Sequence, residues 1–183
     1  MSKLETNTID TVSGTTNLTI GSTNTSTITM PNGKLTGQNY PAFYRVKTSS
    51  ASITHNTYTR ISFDTERFDT DNAMTSTTFT VPSGKAGKYF FYSTGIIDAN
   101  SVTQLSYINS NYYKNGSAIN NILFDFRNNN VHQFNCPNTI ILDLVAGDYI
   151  ELYMRGYDTS GNPNVNGSPS LDITYFMGYR IGA

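Results

Sequence analysis

At 183 residues the chain can hold one well-packed domain plus a small extension, and a net charge of −1 gives no bulk attraction to nucleic acid or an anionic membrane. Charged residues make up only 14%; Thr, Ser and Asn do the solubilising and are poor mid-helix residues, while 13 Tyr and 10 Phe suit pleated strands. Cys136 is the only cysteine, which excludes an intrachain disulfide, and no run approaches the roughly 20 apolar residues of a membrane-spanning helix.

Residues 1–39 differ from the rest. Short apolar pairs recur through them: Ile9 and Val12, Leu18 and Ile20, Ile28 and Met30. Gly, Ser, Asn and Pro turn signals separate the pairs. One reading is a polar leader; the sharper one is an extended β-stalk in which several chains share a thin core. The opening MSKLETNTID lacks the apolar segment of a secretory signal. Synthesis in a cytoplasm without general export is therefore expected, a trimmed start being the alternative.

From Tyr40 the pattern becomes globular all-β. Strands are expected near 41–47, 60–64, 77–81, 88–97, 103–112, 119–127, 138–144, 148–155 and 171–181, with Gly, Asn and Pro turns between them. No segment carries a 3.6-residue period. Many short strands with turn signals indicate a sandwich or barrel. Within 88–97 four aromatics stand in a row, Tyr89, Phe90, Phe91 and Tyr92. In a strand, neighbours point to opposite faces, so one pair can enter the chain's own core and the other needs a different cover. That cover is either a partner chain or a long loop of the same chain.

Little in the sequence points to chemistry. His132 and Cys136 stand four residues apart on a strand-rich stretch and read as unrelated. Zinc spacing, a phosphate loop and a GxSxG elbow do not occur. Asp64, Glu66, Asp69 and Asp71 offer hard oxygen ligands suited to calcium; the plainer reading is a solvated strand end. The Asn-x-Ser/Thr triplets at Asn17, Asn24, Asn115 and Asn166 read as chance in so Asn-rich a chain. Tyr107, Tyr112, Tyr113 and Tyr157 fall near expected turns, among Asn and Ser, a composition that suits adaptable binding or strand-edge packing. Residues 156–170 make the longest irregular stretch, and Tyr157, Asp158, Asn162 and Asn164 are its surface-binding candidates.

Several motifs follow one another in a recognisable order. These are Pro41-Ala-Phe43, Phe63-Asp64, Phe79-Thr80, Val81-Pro82, then Gly87-x-Tyr89-x-Phe91. Tyr112 to Gly116 follows, then LxLxxGDxIxL from Leu142 to Leu152, and last Phe176-x-Gly178-Tyr-x-Ile181. In order and spacing this resembles the complement C1q globular-head family, which shares the jelly-roll fold of the tumour necrosis factor ligands. The resemblance covers about residues 40–183, and a Thr/Ser/Asn-rich stretch stands where many members carry a collagen stalk.

The resemblance implies an antiparallel jelly-roll β-sandwich of about ten strands, forming a homotrimer, with Phe79, Gly87, Tyr89, Phe91, Gly147, Asp148 and Gly178 defining the fold. It directs Tyr89 and Phe91 into the subunit core, and Phe90 and Tyr92, with Phe176 as a further candidate, to the trimer interface. No enzymatic activity and no cofactor are implied, calcium near the four carboxylates being the one exception. Taken with the stalk-like leader, the expectation is a virion structural protein: a fibre tip, spike or capsid decoration on the virion surface. It would attach to other virion proteins through residues 1–39, and to a host-surface glycan or protein through its head. The alternative is a secreted C1q-like or lectin-like recognition module.

Overall fold

The computed structural model describes residues 40–100 and 103–182. The stem expected over residues 1–39, with Asn17 and Asn24, lies outside them. Among the described residues every regular element is a β-strand. In chain order these are β1 (Ala42–Val46), β2 (Ala51–Ser52), β3 (Thr59–Arg60), β4 (Thr65–Asp69), β5 (Thr78–Thr80), β6 (Gly87–Thr94), β7 (Ile96–Asp98) and β8 (Leu105–Lys114). There follow β9 (Ser117–Ala118), β10 (Ile122–Asp125), β11 (Gln133–Asn135), β12 (Asn138–Leu144), β13 (Tyr149–Asp158), β14 (Asn164–Val165) and β15 (Tyr175–Gly182).

The strands form three antiparallel sheets. The front sheet runs β12-β6-β15-β1-β4. The back sheet runs β10-β8-β13-β3, with β5 also on β13 and β9 on β8. A small sheet, β11-β7-β14-β2, continues from one end. The expected strand 88–97 is thus shared between two sheets and breaks at Gly95. A Cβ there would stand 2.7 Å from the Met154 methyl, so a larger residue would have to displace the end of that side chain. The expected strand 60–64 is a crossing: Arg60 pairs with Tyr153 in the back sheet and Thr65 with Val46 in the front sheet. Ile61 and Phe63 between them are buried, which explains an apolar alternation without a ladder. Segments of two or three residues raise the strand number above the expected ten.

The core lies between front and back sheets and is mostly aromatic. Phe91 is its centre, with ring centroids 5.4 Å from Phe79, 5.9 Å from Phe176, 6.1 Å from Tyr89 and 6.3 Å from both Phe43 and Tyr112. Such pairs add about 0.5–1.5 kcal/mol each beyond the area they bury. Gly178 permits this packing, because a Cβ would lie 2.6 Å from Phe91 Cδ1 and 2.8 Å from Phe43 Cε1. The Tyr112 hydroxyl is buried with its ring, donating to the Asn138 carbonyl at 3.1 Å and sharing a hydrogen bond with the Ser93 hydroxyl at 2.9 Å.

Turn chemistry sets the registers. Asn115 and Gly116 take positive φ, 51° and 80°, between the paired Lys114 and Ser117. Left-handed conformations at both central residues define the hairpin turn that Asn-Gly prefers. Gly147, at φ 89°, makes the turn into β13. Asp148 closes it by accepting the Val145 N–H at 3.0 Å, and also takes the Lys114 ammonium at 2.9 Å and the Asn115 amide at 2.7 Å. Hydrogen bonds from Lys114, Asn115 and Val145 hold its carboxyl down at about 2. Gly87 begins β6 opposite Leu144, inside the same corner.

Candidate functional site

Alternation sends every second side chain of the front sheet away from the core. Among them are Phe90 and Tyr92 from β6, Ile141 from β12, Tyr175, Met177 and Tyr179 from β15, Tyr44 from β1 and Phe68 from β4, with Lys88, Thr139 and Asp143 on the same face toward the β12 edge. Register places Ile141 and Tyr179 on either side of Phe90, and Met177 beside Tyr92 and Tyr44. The rings touch in runs. Phe90 lies 5.3 Å from Tyr179; Tyr92 reaches Tyr175 at 5.8 Å, then Tyr44 at 5.3 Å and Phe68 at 6.2 Å. Ile141 is 61% exposed and Phe68 48%. Charge enters at the margins, where Asp172 accepts the Tyr44 hydroxyl at 2.8 Å and pairs with Arg67 at 2.6 Å. The Arg67 guanidinium and that hydroxyl hold the Asp172 carboxyl below its ordinary value.

Phe176 is not on this face. Its neighbours Tyr175 and Met177 point outward, so Phe176 points inward, where it is fully buried against Phe43 at 4.9 Å and Phe63 at 6.0 Å. The expectation of Phe176 at the trimer interface is corrected accordingly. Its phase was readable: Phe176 and Gly178 share a face, and Gly178 is the glycine that admits the Phe91 ring.

The back sheet turns a polar face outward. From β13 come Tyr149, Glu151, Tyr153, Arg155 and Tyr157; from β8 come Tyr107, Asn109, Asn111 and Tyr113. Tyr113 stacks on Tyr153 at 4.0 Å. Glu151 is buried, accepting Arg60 Nη1 at 2.7 Å and Thr78 Oγ1 at 3.0 Å. At one end of this face Tyr107, Leu123, Asp125, Arg127 and Arg155 line a cleft of about 220 Å³. Arg155 sends Nε and Nη2 to Asn109 Oδ1 at 3.1 and 2.9 Å. Its guanidinium carbon stands 4.5 Å from the Tyr58 ring centre and 5.2 Å from that of Tyr107.

The turn at 55–57 carries Tyr58 into place. Asn56, at φ 52°, donates its N–H to the Gly156 carbonyl at 2.9 Å and accepts the Tyr107 hydroxyl at 2.5 Å. Arg127 and Asp125 pair with each other across a tight turn. Sequence reasoning singled out Tyr107 and Tyr157 here and missed Tyr58, Asn109, Arg127 and Arg155. A local signal existed: Tyr-x-Arg-x-Tyr from Tyr153 to Tyr157 has strand spacing.

Of the loop candidates, Tyr157 is a strand residue of β13, its ring 5.2 Å from Tyr107 and 4.5 Å from His55. Asp158 is fully buried and not a surface residue. Burial alone would raise its carboxyl, but the Asn100 N–H at 2.6 Å and the Ser160 N–H and hydroxyl, both at 2.7 Å, outweigh that and lower it. Asp158 is therefore a turn anchor, which corrects its reading as a binding residue. Asn164 also leaves the loop: it lies in β14, paired with Asp98 and Ser52. Asn162 is exposed, and its Oδ1 accepts the His55 N–H at 2.8 Å. The four Tyr expected near turns lie within β8 and β13.

The carboxylates considered for calcium have protein partners. Asp64 takes the Thr48 and Ser49 amides at 2.8 and 3.2 Å, and Glu66 takes Arg45 at 2.5 Å. Asp69 takes the Met74 N–H at 2.7 Å, and Asp71 accepts the Thr70 hydroxyl at 2.9 Å. Among the described residues no group of three or more His, Cys, Asp or Glu is placed to hold a metal ion. Cys136 is buried, and burial pushes its thiol up to about 12; a thiolate nucleophile is disfavoured there. His132 lies 3.4 Å from Asp98 instead.

No protein-family model matches the chain, and no curated protein matches it in sequence. Solved structures do match. The globular domain of zebrafish complement 1qA protein aligns with TM-score 0.53 at 14% identity, over 78% of this chain and 98% of that one. Murine APRIL, in its pH 8.0 crystal structure, aligns with TM-score 0.54 at 11% identity, over 78% of this chain and all of its own. At such identities the likeness concerns the fold: the described residues form an antiparallel β-sandwich that resembles those of the C1q globular domain and of APRIL.

Proposed function

We propose that the chain is a non-enzymatic recognition protein whose head works as a homotrimer. The carrying observation is the outer face of the front sheet, where Phe90, Tyr92, Tyr175, Tyr179, Phe68 and Ile141 make one aromatic and apolar surface. Monomers rarely leave such an area in water. A threefold ring covers it with closed symmetry, each subunit using the same contacts. Three copies of a weak ligand site then act together, and avidity replaces affinity.

The finer reading is a virion component: a fibre tip, spike or capsid decoration that attaches the particle to a host surface or stabilises the capsid. A chain without disulfides, with a Thr/Ser/Asn-rich segment of recurring apolar pairs before the head, suits assembly in a cytoplasm with other virion proteins. The secreted recognition module remains the alternative.

Light scattering on the purified chain, beside a version lacking residues 1–37, tests the assembly. Three times the 20.2 kDa chain mass is expected for the full chain, and a trimer in both places the driving force in the head. Monomers in both overturn the proposal. For the finer reading, peptides of this chain are expected by mass spectrometry in purified particles. Recovery only as free extracellular protein favours the secreted alternative.

A further inference from the structure

We infer that the cleft on the back sheet is a binding site for a carboxylated sugar, with Arg155 as the group that takes the carboxylate. This deepens the recognition reading by naming the ligand class, and it stands on observations separate from the front-sheet face.

Arg155 is held in advance. A guanidinium has five N–H donors. Two go to Asn109 Oδ1, and Asn109 is fully buried and itself fixed by donating to Asn121 Oδ1 at 2.7 Å. The Tyr58 and Tyr107 rings flank the cation. Such contacts stabilise a positive charge without neutralising it. Among the described residues no carboxylate pairs with Arg155, and the one carboxylate in the lining, Asp125, is taken by Arg127. The cleft therefore keeps one uncompensated positive charge on a side chain of restricted freedom. A planar guanidinium edge presented this way fits a carboxylate through paired N–H donors. Little ordering remains to be done when the ligand arrives.

Size and lining select the rest of the ligand. About 220 Å³ is less than the roughly 300–1,000 Å³ of clefts that take drug-sized molecules, and it accommodates one ring. The half-exposed Leu123 supplies apolar surface for the flat side of such a ring, beside Tyr107 in the lining. Hydroxyl and amide groups stand close by in Tyr107 and Asn56, already joined to each other. A monoanionic sugar ring presents the same mixture: one carboxylate, one apolar face and a rim of hydroxyls. An acidic peptide shares only the carboxylate.

The test uses the full chain and an immobilised oligosaccharide ending in a uronic acid, beside the same oligosaccharide with its carboxyl reduced to an alcohol. The acid form is expected to bind at least about tenfold more tightly, the factor that about 1.4 kcal/mol gives. Arg155→Gln should erase that difference. Leu123→Asp, an exposed change that places a negative charge in the cleft, should weaken the acid form about tenfold or more and leave the unfolding temperature unchanged. Equal binding of acid and reduced forms overturns the inference. So does an unaltered preference in both variants, or tighter binding of a glutamate-rich peptide than of the uronate. Light scattering on the same samples separates the two proposals: a trimer that prefers the reduced sugar loses the ligand class and keeps the assembly.

Discussion

The two outer faces of the sandwich are built from the same kind of strand and solve opposite problems. Both are rich in tyrosine. On the front sheet the tyrosines stand among Phe90, Phe68, Met177 and Ile141, with charge at the margins. On the back sheet they alternate with Asn109, Asn111, Glu151 and Arg155, and Glu151 and Asn109 are buried with partners of their own. The front face is mostly aromatic and apolar, and on the function proposed above a partner subunit covers it. On the back face Glu151 and Asn109 are held by hydrogen bonds of this chain, and Arg155 is a charge without a carboxylate partner among the described residues. One face is suited to assembly and the other to recognition, so perturbing each should give different symptoms.

The largest effect is expected from Tyr92→Asp. A carboxylate in the middle of the front face would have to be desolvated in any assembly. The light-scattering mass should fall to that of one chain, or the protein should aggregate through the exposed face. A mass and thermal midpoint equal to the parent chain would mean that this face is not the interface. Phe176→Ala comes next and separates core from interface. It opens a void among Phe43, Phe63 and Phe91 and should cost about 3–5 kcal/mol in chemical denaturation, while the folded protein keeps the parent mass. Loss of assembly with little loss of stability would return Phe176 to the interface.

The sequence made much of this contrast readable, and the reason is periodicity. The row Tyr89 to Tyr92 has period-2 phase, and Gly87-x-Tyr89-x-Phe91 marks the inward set. The Asn-Gly and Gly-Asp turns carry local steric requirements that any reader of the chain can see. The cleft was harder. Arg155, Asn109, Tyr58 and Arg127 come from β13, β8, the turn before β3 and the turn after β10, and only strand pairing brings them together. Asp158 misled for a related reason. In sequence it sits among Gly, Ser and Asn like a solvated loop residue, yet the loop folds back and buries it under the Asn100 and Ser160 amides. Polar residues that hold a turn together look in sequence like polar residues that face water.

Asp148 lies between the two faces, where β8 and β13 meet the turn from the front sheet. Its carboxyl sits at about 2 in the folded chain, below the ordinary aspartate value near 3.9. A depressed carboxylate stabilises the fold above its unfolded pKa and loses that contribution as pH falls through the folded one. Asp148→Asn should therefore cost about 1.5–3 kcal/mol at neutral pH, the range for hydrogen bonds to a charged group. The gap between variant and parent should close between about pH 4 and pH 2. Denaturation at several pH values measures it, and a gap that does not depend on pH would remove the ionic account of this turn.

The smallest effect is expected from Arg60→Gln on the back face. The Arg60 side chain is 49% exposed, while that of Glu151 beneath it is 6% exposed. Solvent screens the arginine, so the pair itself contributes no more than about 1 kcal/mol. Glu151 keeps the Thr78 hydroxyl after the change, which limits the penalty of its burial. Stability should fall by about 1 kcal/mol or less, the loss should shrink as salt is added, and the mass should not move. The back face absorbs such a change because Thr78 remains as a second donor to Glu151. A front-face carboxylate at Tyr92 would have no such partner, and the ratio of the two effects measures how differently the faces are built. A change of mass in Arg60→Gln would show that the back sheet also takes part in assembly.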